Sequence, residues 1–326
     1  MTRLFEAKPF IIAEVGSNWE SFEHAKDSIS LAKQCGADAV KFQAFSVDAL
    51  YGLPFEYIDS ELVGHELPLE WLPKLKEKAD ACGIEFMCTA FSPELVAAVD
   101  PYVSVHKVAS SDLSYPQLLI AVAETGKPVI LSTGASSRGD IRSAIGVLDE
   151  FGARVVLMYC AAAYPSRRHN LYLMRELQAA FGKPVGLSDH SRDVIYAPLS
   201  AHREFGAVCI EKHFTAFPDI ATPDRHHSLT SDEFKIMVDY IRGTRDGGLN
   251  PTSEEKDMFL RHNRRLIATA DISPNELLEY GKNFGAYRSL EDDTRGLSPF
   301  GWGSLQGRKA TKAIARGKGI APGDFT

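Results

Sequence analysis

Two lysines and a set of hydroxyls fall where short apolar runs end. Lys41 and Gln43 lie in AVKFQ, Thr89 follows IEFMC, Lys107 precedes Ser110 and Ser111 in HKVASSD, and Ser132 and Thr133 close VILST. An ammonium inside an apolar run is costly to bury without a partner, so Lys41 and Lys107 are expected to serve an anion. Lysine supplies a point charge and Ser or Thr hydroxyls supply hydrogen bonds, a combination that holds phosphate. His190 in GLSDHS and His213 in EKHF end two further runs. Neutral imidazoles delivered from neighbouring elements are common metal ligands. Structural histidines hydrogen-bonded near a rim are the alternative, and with no HExxH-type signature the spacing does not choose. Glu14, Asn18, Ser92, Asp112, Tyr164, Asp189, Lys212, Asp224 and His226 complete the polar residues at or just beyond the runs.

Groups so far apart in sequence meet only if their elements converge. Apolar runs at 10–15, 39–43, 84–88, 103–108, 128–132, 155–159, 184–187 and 207–212 have the length and composition of strands buried on both faces. Amphipathic segments at 23–34, 69–81, 116–124, 138–151, 171–181, 194–204 and 231–242 read as helices. Several stop at Gly, as in Cys35-Gly36, Cys82-Gly83 and Thr125-Gly126. Thr230 and Glu233 have capping-box spacing before the last of them. Eight strands alternating with helices predict a (β/α)8 TIM barrel, whose chemistry sits at the C-terminal ends of its strands. An open doubly wound sheet is the runner-up, weakened because no GxGxxG follows the first strand.

The rhythm breaks at GTRDGGLNPTSEEKD, a polar, Gly-rich run that reads as a linker. Beyond it, RRLIATADISPNELL and GRKATKAIARGKGIAPGDF each carry a short β-like run and a Pro or Gly turn. The expected division is a barrel over 1–245, a linker over 246–262 and a small β-rich module over 263–326. Arg288 and Arg295 lie between the module's two arms.

The 326 residues suit one large barrel with an appendage, and 44% hydrophobic with 24% charged residues is an ordinary globular balance. A net charge of −7 argues against a nucleic-acid-binding surface while allowing a local basic pocket. No stretch approaches the roughly 20 apolar residues of a membrane span. The apolar run in MTRLFEAKPFIIAEVG has strand length, not signal-peptide form, so a cytoplasmic protein is expected. Five scattered cysteines without CxxC suggest reduced, buried thiols, Cys160 included.

IIAEVGSNWE, VKFQAF, CTAFSPE, HKVASSDLSYP, KPVILSTGASS, CAAAYPS, GLSDHS, EKHF and TPDRHHSLT together resemble the sialic acid (N-acetylneuraminate) synthase family, in family order. The final arms resemble that family's SAF, or antifreeze-like, β-clip domain. The resemblance implies a synthase that joins phosphoenolpyruvate to an N-acylated amino-sugar aldehyde. It implies a divalent cation, Mn2+ or Mg2+, on His190 and His213. Phosphoenolpyruvate would lie on Lys41, Lys107, Ser110 and Ser132, with Thr89 and Gln43 nearby. Asp112 and Asp224 match acid–base carboxylates, Lys107 belongs to the catalytic set, and Tyr164 lines the sugar pocket. The family pattern is a domain-swapped homodimer in which the module brings an arginine, here Arg288 or the better-matching Arg295, to the partner's site.

Two positions depart from the pattern. Asp112 stands where a glutamate is usual, which retracts the carboxylate by one methylene. Ala161–Ala163 replace residues that are often polar, which points to a sugar other than plain N-acetylmannosamine. The competing readings are a synthase using a sugar phosphate bound by Arg167, Arg168 or Arg225, a Schiff-base aldolase, and a degenerate sugar-binding barrel.

Overall fold

A run such as FIIAEV leaves no polar face for water, so it must be covered on both sides. The computed structural model, which describes residues 9–52, 62–167, 169–243, 263–288 and 296–326, does this with a ring of parallel strands inside a layer of helices. The chain divides into two compact units, Met1–Thr244 and Arg245–Thr326.

In the first unit the strands are β1 (Phe10–Gly16), β2 (Ala39–Ala44), β3 (Glu85–Ala90), β4 (His106–Val108), β5 (Val129–Ser132), β6 (Val155–Cys160), β7 (Val185–Asp189) and β8 (Cys209–Thr215). They pair in the order β3-β2-β1-β8-β7-β6-β5-β4, and β3 and β4 lie side by side at the seam of a nearly closed barrel. The helices are α1 (Phe22–Gln34), α2 (Val47–Tyr51), α3 (Leu72–Cys82), α4 (Pro93–Val99), α5 (Pro116–Glu124), α6 (Arg138–Glu150), α7 (Tyr172–Phe181), α8 (Tyr196–Arg203) and α9 (Ser231–Gly243). Caps fix their starts. Ser137 and Asp140 form a reciprocal capping box on α6. Before α9, the Thr230 N–H donates to Glu233 (2.9 Å) and the Glu233 N–H donates to Thr230 Oγ1 (3.4 Å), as the spacing predicts.

Several elements differ from expectation. The fourth strand begins at His106 rather than 103, because Asp100–Tyr102 extends the preceding helix by a 3-10 turn. Helix α2 had no counterpart in the sequence reading, and neither had α4. Ser92 caps it, its hydroxyl accepting the Leu95 N–H at 3.3 Å, with Pro93 opening the first turn. Ser92 is therefore engaged in a helix start.

The alternation of side chains along a strand stacks the barrel interior in layers. Phe10, Ile12, Ala39, Met87, Val105, Ile130, Val156, Met158 and Cys209 make an apolar cluster. Two residues further along the same strands come Glu14, Lys41, Thr89, Lys107, Ser132, Cys160 and Glu211. The intervening residues, among them Ile11, Ala13, Val40, Phe42, Phe86 and Leu131, join the core shared with the helices. The lower interior is thus sealed and every polar group is lifted to the C-terminal mouth.

In the second unit, β10 (Arg265–Ala268) pairs antiparallel with β11 (Phe284–Tyr287); β9 (Leu229–Thr230) is a short ladder against β8 in the barrel. The two arms seen in the sequence pair with one another, through Ile267 with Gly319, Ile272 with Ile314 and Leu277 with Lys309. They enclose a separate core of Leu266, Ile272, Leu278, Phe284, Leu305, Ile314 and Ile320. Gly296 lies where a Cβ would come within 2.8 Å of the Leu266 carbonyl and 3.2 Å of Gly319 Cα. The expected linker falls outside the described residues. None of the helices among the described residues is long and apolar enough to cross a membrane.

Candidate active site

The mouth opens into a cavity of about 780 Å3. Its lysine side is set by strand register. Glu14 on β1 stands opposite Lys41 on β2 and His213 on β8, and Gln43 stands opposite Thr89 on β3. Lys41 Nζ lies 2.7 Å from Glu14 Oε2 and 3.6 Å from Glu211 Oε2, and donates to Thr89 Oγ1 at 2.9 Å. Lys107 Nζ lies 3.7 Å from Glu211 Oε1. Gln43 Nε2 donates to Glu14 Oε1 at 2.7 Å, and Ser188 Oγ donates to Glu211 Oε1 at 3.1 Å. The two lysines and two glutamates are all buried. Burial pushes the Glu14 carboxyl up to about 7, against the pull of Lys41. Burial pulls both ammoniums down; Glu14 and Glu211 outweigh it at Lys41, which ends above its ordinary value, while Lys107 ends below. Ser132 Oγ is buried against the cavity without a hydrogen-bond partner. Ser110 also lines the wall.

The histidine side has a different character. The rings of Tyr164 and His190 stack with centroids 4.2 Å apart, and His190 and His213 lie 5.4 Å apart. His227 packs closer still, 4.3 Å from His213. Burial depresses all three imidazoles, His190 and His227 to about 4 and His213 well below its ordinary value. They are neutral at pH 7, and a neutral imidazole keeps one nitrogen lone pair. Asp224 reaches this cluster from the loop after β8. The Ser17 N–H donates to its Oδ2 at 2.8 Å. Gly16, at φ +55°, leaves the room it needs, since a Cβ there would stand 2.3 Å from that oxygen. Asn18 pins the loop by donating to the Phe214 carbonyl and Ser228 Oγ and accepting from Thr222 Oγ1. Neutral nitrogens, two of them without hydrogen-bond partners at His213 and His227, beside a carboxylate fit a divalent cation.

The structure brings Lys41, Gln43, Thr89, Lys107, Ser110, Ser132, Tyr164, His190, His213 and Asp224 to one cavity wall. Asp112 stands apart from that wall, half-buried, with its carboxylate accepting from Ser111 Oγ at 2.7 Å. Arg288 is exposed in the second unit, and Arg295 falls outside the described residues. Lys212 and Asp189 pair with each other at 2.5 Å, and Lys212 also donates to Ser191 and to the Asp193 carbonyl, so this pair braces the strand ends outside the cavity. All five cysteines are free. Cys160 lines the cavity as a protonated thiol, its pKa pushed up to about 11 by burial.

Glu211, Ser188 and His227 went unnamed in the sequence reading. In CIEKHF the inward face is Cys209, Glu211 and His213, so a period-two reading anchored on His213 identifies Glu211 as inward and Lys212 as outward. His227 had no such signal. It closes a 3-10 turn at Arg225–His227, which exposes His226 and buries His227.

A family model described as the NeuB family matches residues 28–247. The chain is 32% identical to pseudaminic acid synthase of Campylobacter jejuni, over 98% of this chain and 97% of that protein. It is 31% identical to N,N'-diacetyllegionaminic acid synthase of the same organism, over 94% and 96%. The crystal structure of an N-acetylneuraminic acid synthetase from Leptospira borgpetersenii superposes with a TM-score of 0.68 at 28% identity, covering 77% of this chain and 90% of that one. A match over most of the barrel, with relatives above 30% identity along nearly the whole length, places this chain in the NeuB family as a transferase of the sialic acid synthase type.

Proposed function

We propose that this protein condenses phosphoenolpyruvate with the open-chain form of an N-acylated amino-sugar aldehyde, giving a nonulosonic acid and inorganic phosphate. The observation that carries this reading is the division of one cavity between an anion-binding side with an unpartnered Ser132 hydroxyl and a side of neutral imidazoles with open nitrogens. Relatives named for two different nonulosonic acids support the reaction class and leave the sugar open.

In this reading Lys41, Lys107, Ser110 and Ser132 hold phosphoenolpyruvate, with Thr89 and Gln43 fixing Lys41 and Glu14 behind it. Mn2+ or Mg2+ held at His190 and His213 supplies Lewis-acid polarisation of the aldehyde oxygen when bound. Carbon 3 of phosphoenolpyruvate bonds to the aldehyde carbon, whose π electrons move to oxygen. Water then adds to carbon 2, and cleavage of its C–O bond to phosphorus-bearing oxygen releases phosphate and leaves the keto acid. The proton taken by the new alkoxide and the one lost by water must be handled locally. Glu14, poised near neutrality, can carry one at the lysine side. Asp224 and, at the rim, Asp112 are the carboxylates toward the sugar, where Tyr164 and Ala162 form the wall.

The remaining assignments are proposals: from the sequence pattern, a barrel over 1–245, a linker over 246–262, a module over 263–326 and a cytoplasmic location; from the resemblance, the SAF type of that module, a domain-swapped dimer and Arg295 of that module on the sugar. Of the arginines offered for the sugar-phosphate alternative, Arg167 and Arg225 are not on the cavity wall, and Arg168 lies outside the described residues.

The test is phosphate release by metal-stripped protein from phosphoenolpyruvate and a panel of 2-acetamido and 2,4-diacetamido hexoses, with and without Mn2+. Metal-dependent release with a product carrying the added pyruvate unit is expected. Absence of both phosphoenolpyruvate binding and turnover would sink the proposal.

A further inference from the structure

The cation assignment of the family motif uses His190 and His213, yet the nearer neighbour of His213 is His227. Both rings are 5% exposed. His213 Nδ1 and His227 Nε2 are each buried without a hydrogen-bond partner. Asp224 stands between them, its Oδ2 4.0 Å from the first nitrogen and its Oδ1 3.5 Å from the second. One ligand atom from each of the three residues lies within 4.8 Å of the others. Two donors on a common ion at bond lengths of about 2.1 Å sit about 3.0–3.5 Å apart, so small side-chain rotations close the set. Neither buried nitrogen makes a hydrogen bond of its own, and a cation among them would satisfy both together with the carboxylate. His190 differs, since its Nδ1 and Nε2 already have neighbours in Cys160, the Ala161 carbonyl and Ser188.

We propose that His227 and Asp224 join His213 as ligands of the divalent ion that the motif places on His190 and His213, with His227 a ligand that the family motif does not supply. This rests on the metal-dependent synthase reading and narrows it. A site with imidazole donors prefers Mn2+, Co2+ or Zn2+ to Mg2+, which takes oxygen ligands and keeps its waters. It also makes Asp224 a ligand, leaving proton transfer to other carboxylates. The centre is preorganised from outside: the Ser17 amide and the space at Gly16 orient Asp224, and Asn18 fixes the loop through Thr222 and Ser228.

The experiment uses the full chain, stripped with chelator. Mn2+ binding is measured by calorimetry, and the coordination of added Co2+ by its visible d–d absorption. Wild type should bind one ion and retain Mn2+ against about a hundredfold excess of Mg2+. His227→Gln should weaken Mn2+ binding by about tenfold or more and alter the cobalt spectrum. Unchanged affinity and an unchanged spectrum in His227→Gln, with binding lost in His213→Gln, would overturn the proposal while leaving the metal-dependent synthase reading intact. No uptake of either ion by wild type would remove that reading and this proposal together. Should His227→Gln fail to fold, as judged by its thermal melt, Asp224→Asn replaces it and is held to the same outcomes.

Discussion

The two sides of the cavity bury polar groups in opposite ways. On the lysine side every charge has a partner: Lys41 between Glu14 and Glu211, and Lys107 against Glu211. On the histidine side burial removes the charges, leaving neutral rings with nitrogens that meet no donor or acceptor. The first arrangement is self-compensating and stands without a ligand, whereas the second is incomplete by itself. Breaking a buried ion pair strands a charge, which is severe. Removing a neutral imidazole strands nothing.

Glu211→Gln should show the larger effect. It leaves Lys107 without a carboxylate and Lys41 with one. A loss of about 3–5 kcal/mol in denaturant unfolding is expected, with activity abolished. His213→Gln should also abolish activity but cost about 1–2 kcal/mol, the scale of lost packing for a similar-sized side chain. Equal losses in the two variants would break the comparison.

The two sides should also respond to pH with opposite sign. A histidine depressed to about 4 binds fewer protons folded than unfolded between pH 4 and its ordinary 6.5. The stability it contributes is present above 6.5 and lost as pH falls toward 4. Glu14, raised to about 7 from an ordinary 4.5, binds more protons folded than unfolded across that interval. Its contribution is present below 4.5 and lost as pH rises through 7. In chelator-treated protein the two slopes oppose one another. His227→Gln should remove about 3 kcal/mol of the acid-side loss between pH 6.5 and 4, the worth of its shift. Glu14→Gln should remove the opposing slope and steepen the acid-side loss. Unfolding free energies measured across pH 4–7.5 decide it; parallel curves for all three proteins would refute the assignment.

How far the sequence reveals this site depends on periodicity. The strands are legible because a doubly covered strand is a continuous apolar run, and each polar residue breaking such a run, as Lys41 and Lys107 do, announces itself. Glu211 was equally legible in principle, two residues before His213 on the same face. The partners of the lysines were not, because register between strands distant in sequence decides that Glu14 meets Lys41. His227 lies in a loop, where no period applies and one turn of chain chooses between it and His226. Helix α4 escaped because its seven residues are too few for an amphipathic pattern, although its Ser-Pro start is a standard signal.

Gly16→Ala tests the smallest link, the one joining fold to site on the histidine side. Its φ of +55° strains any L side chain by about 1–2 kcal/mol, and the new methyl would meet Asp224 Oδ2 at 2.3 Å. That oxygen belongs to a side chain that can rotate, so the structure yields by turning the carboxylate and breaking its bond to the Ser17 amide. The expected stability loss is therefore modest, about 1–2 kcal/mol, while Mn2+ affinity falls because Asp224 no longer faces His213 and His227. A comparable substitution on the lysine side would have no such route, since each of its carboxylates is already fixed by two or more partners. Calorimetric Mn2+ titration beside a thermal melt separates the two effects. A variant that loses stability but keeps wild-type affinity would mean that Asp224 does not depend on this glycine for its aim.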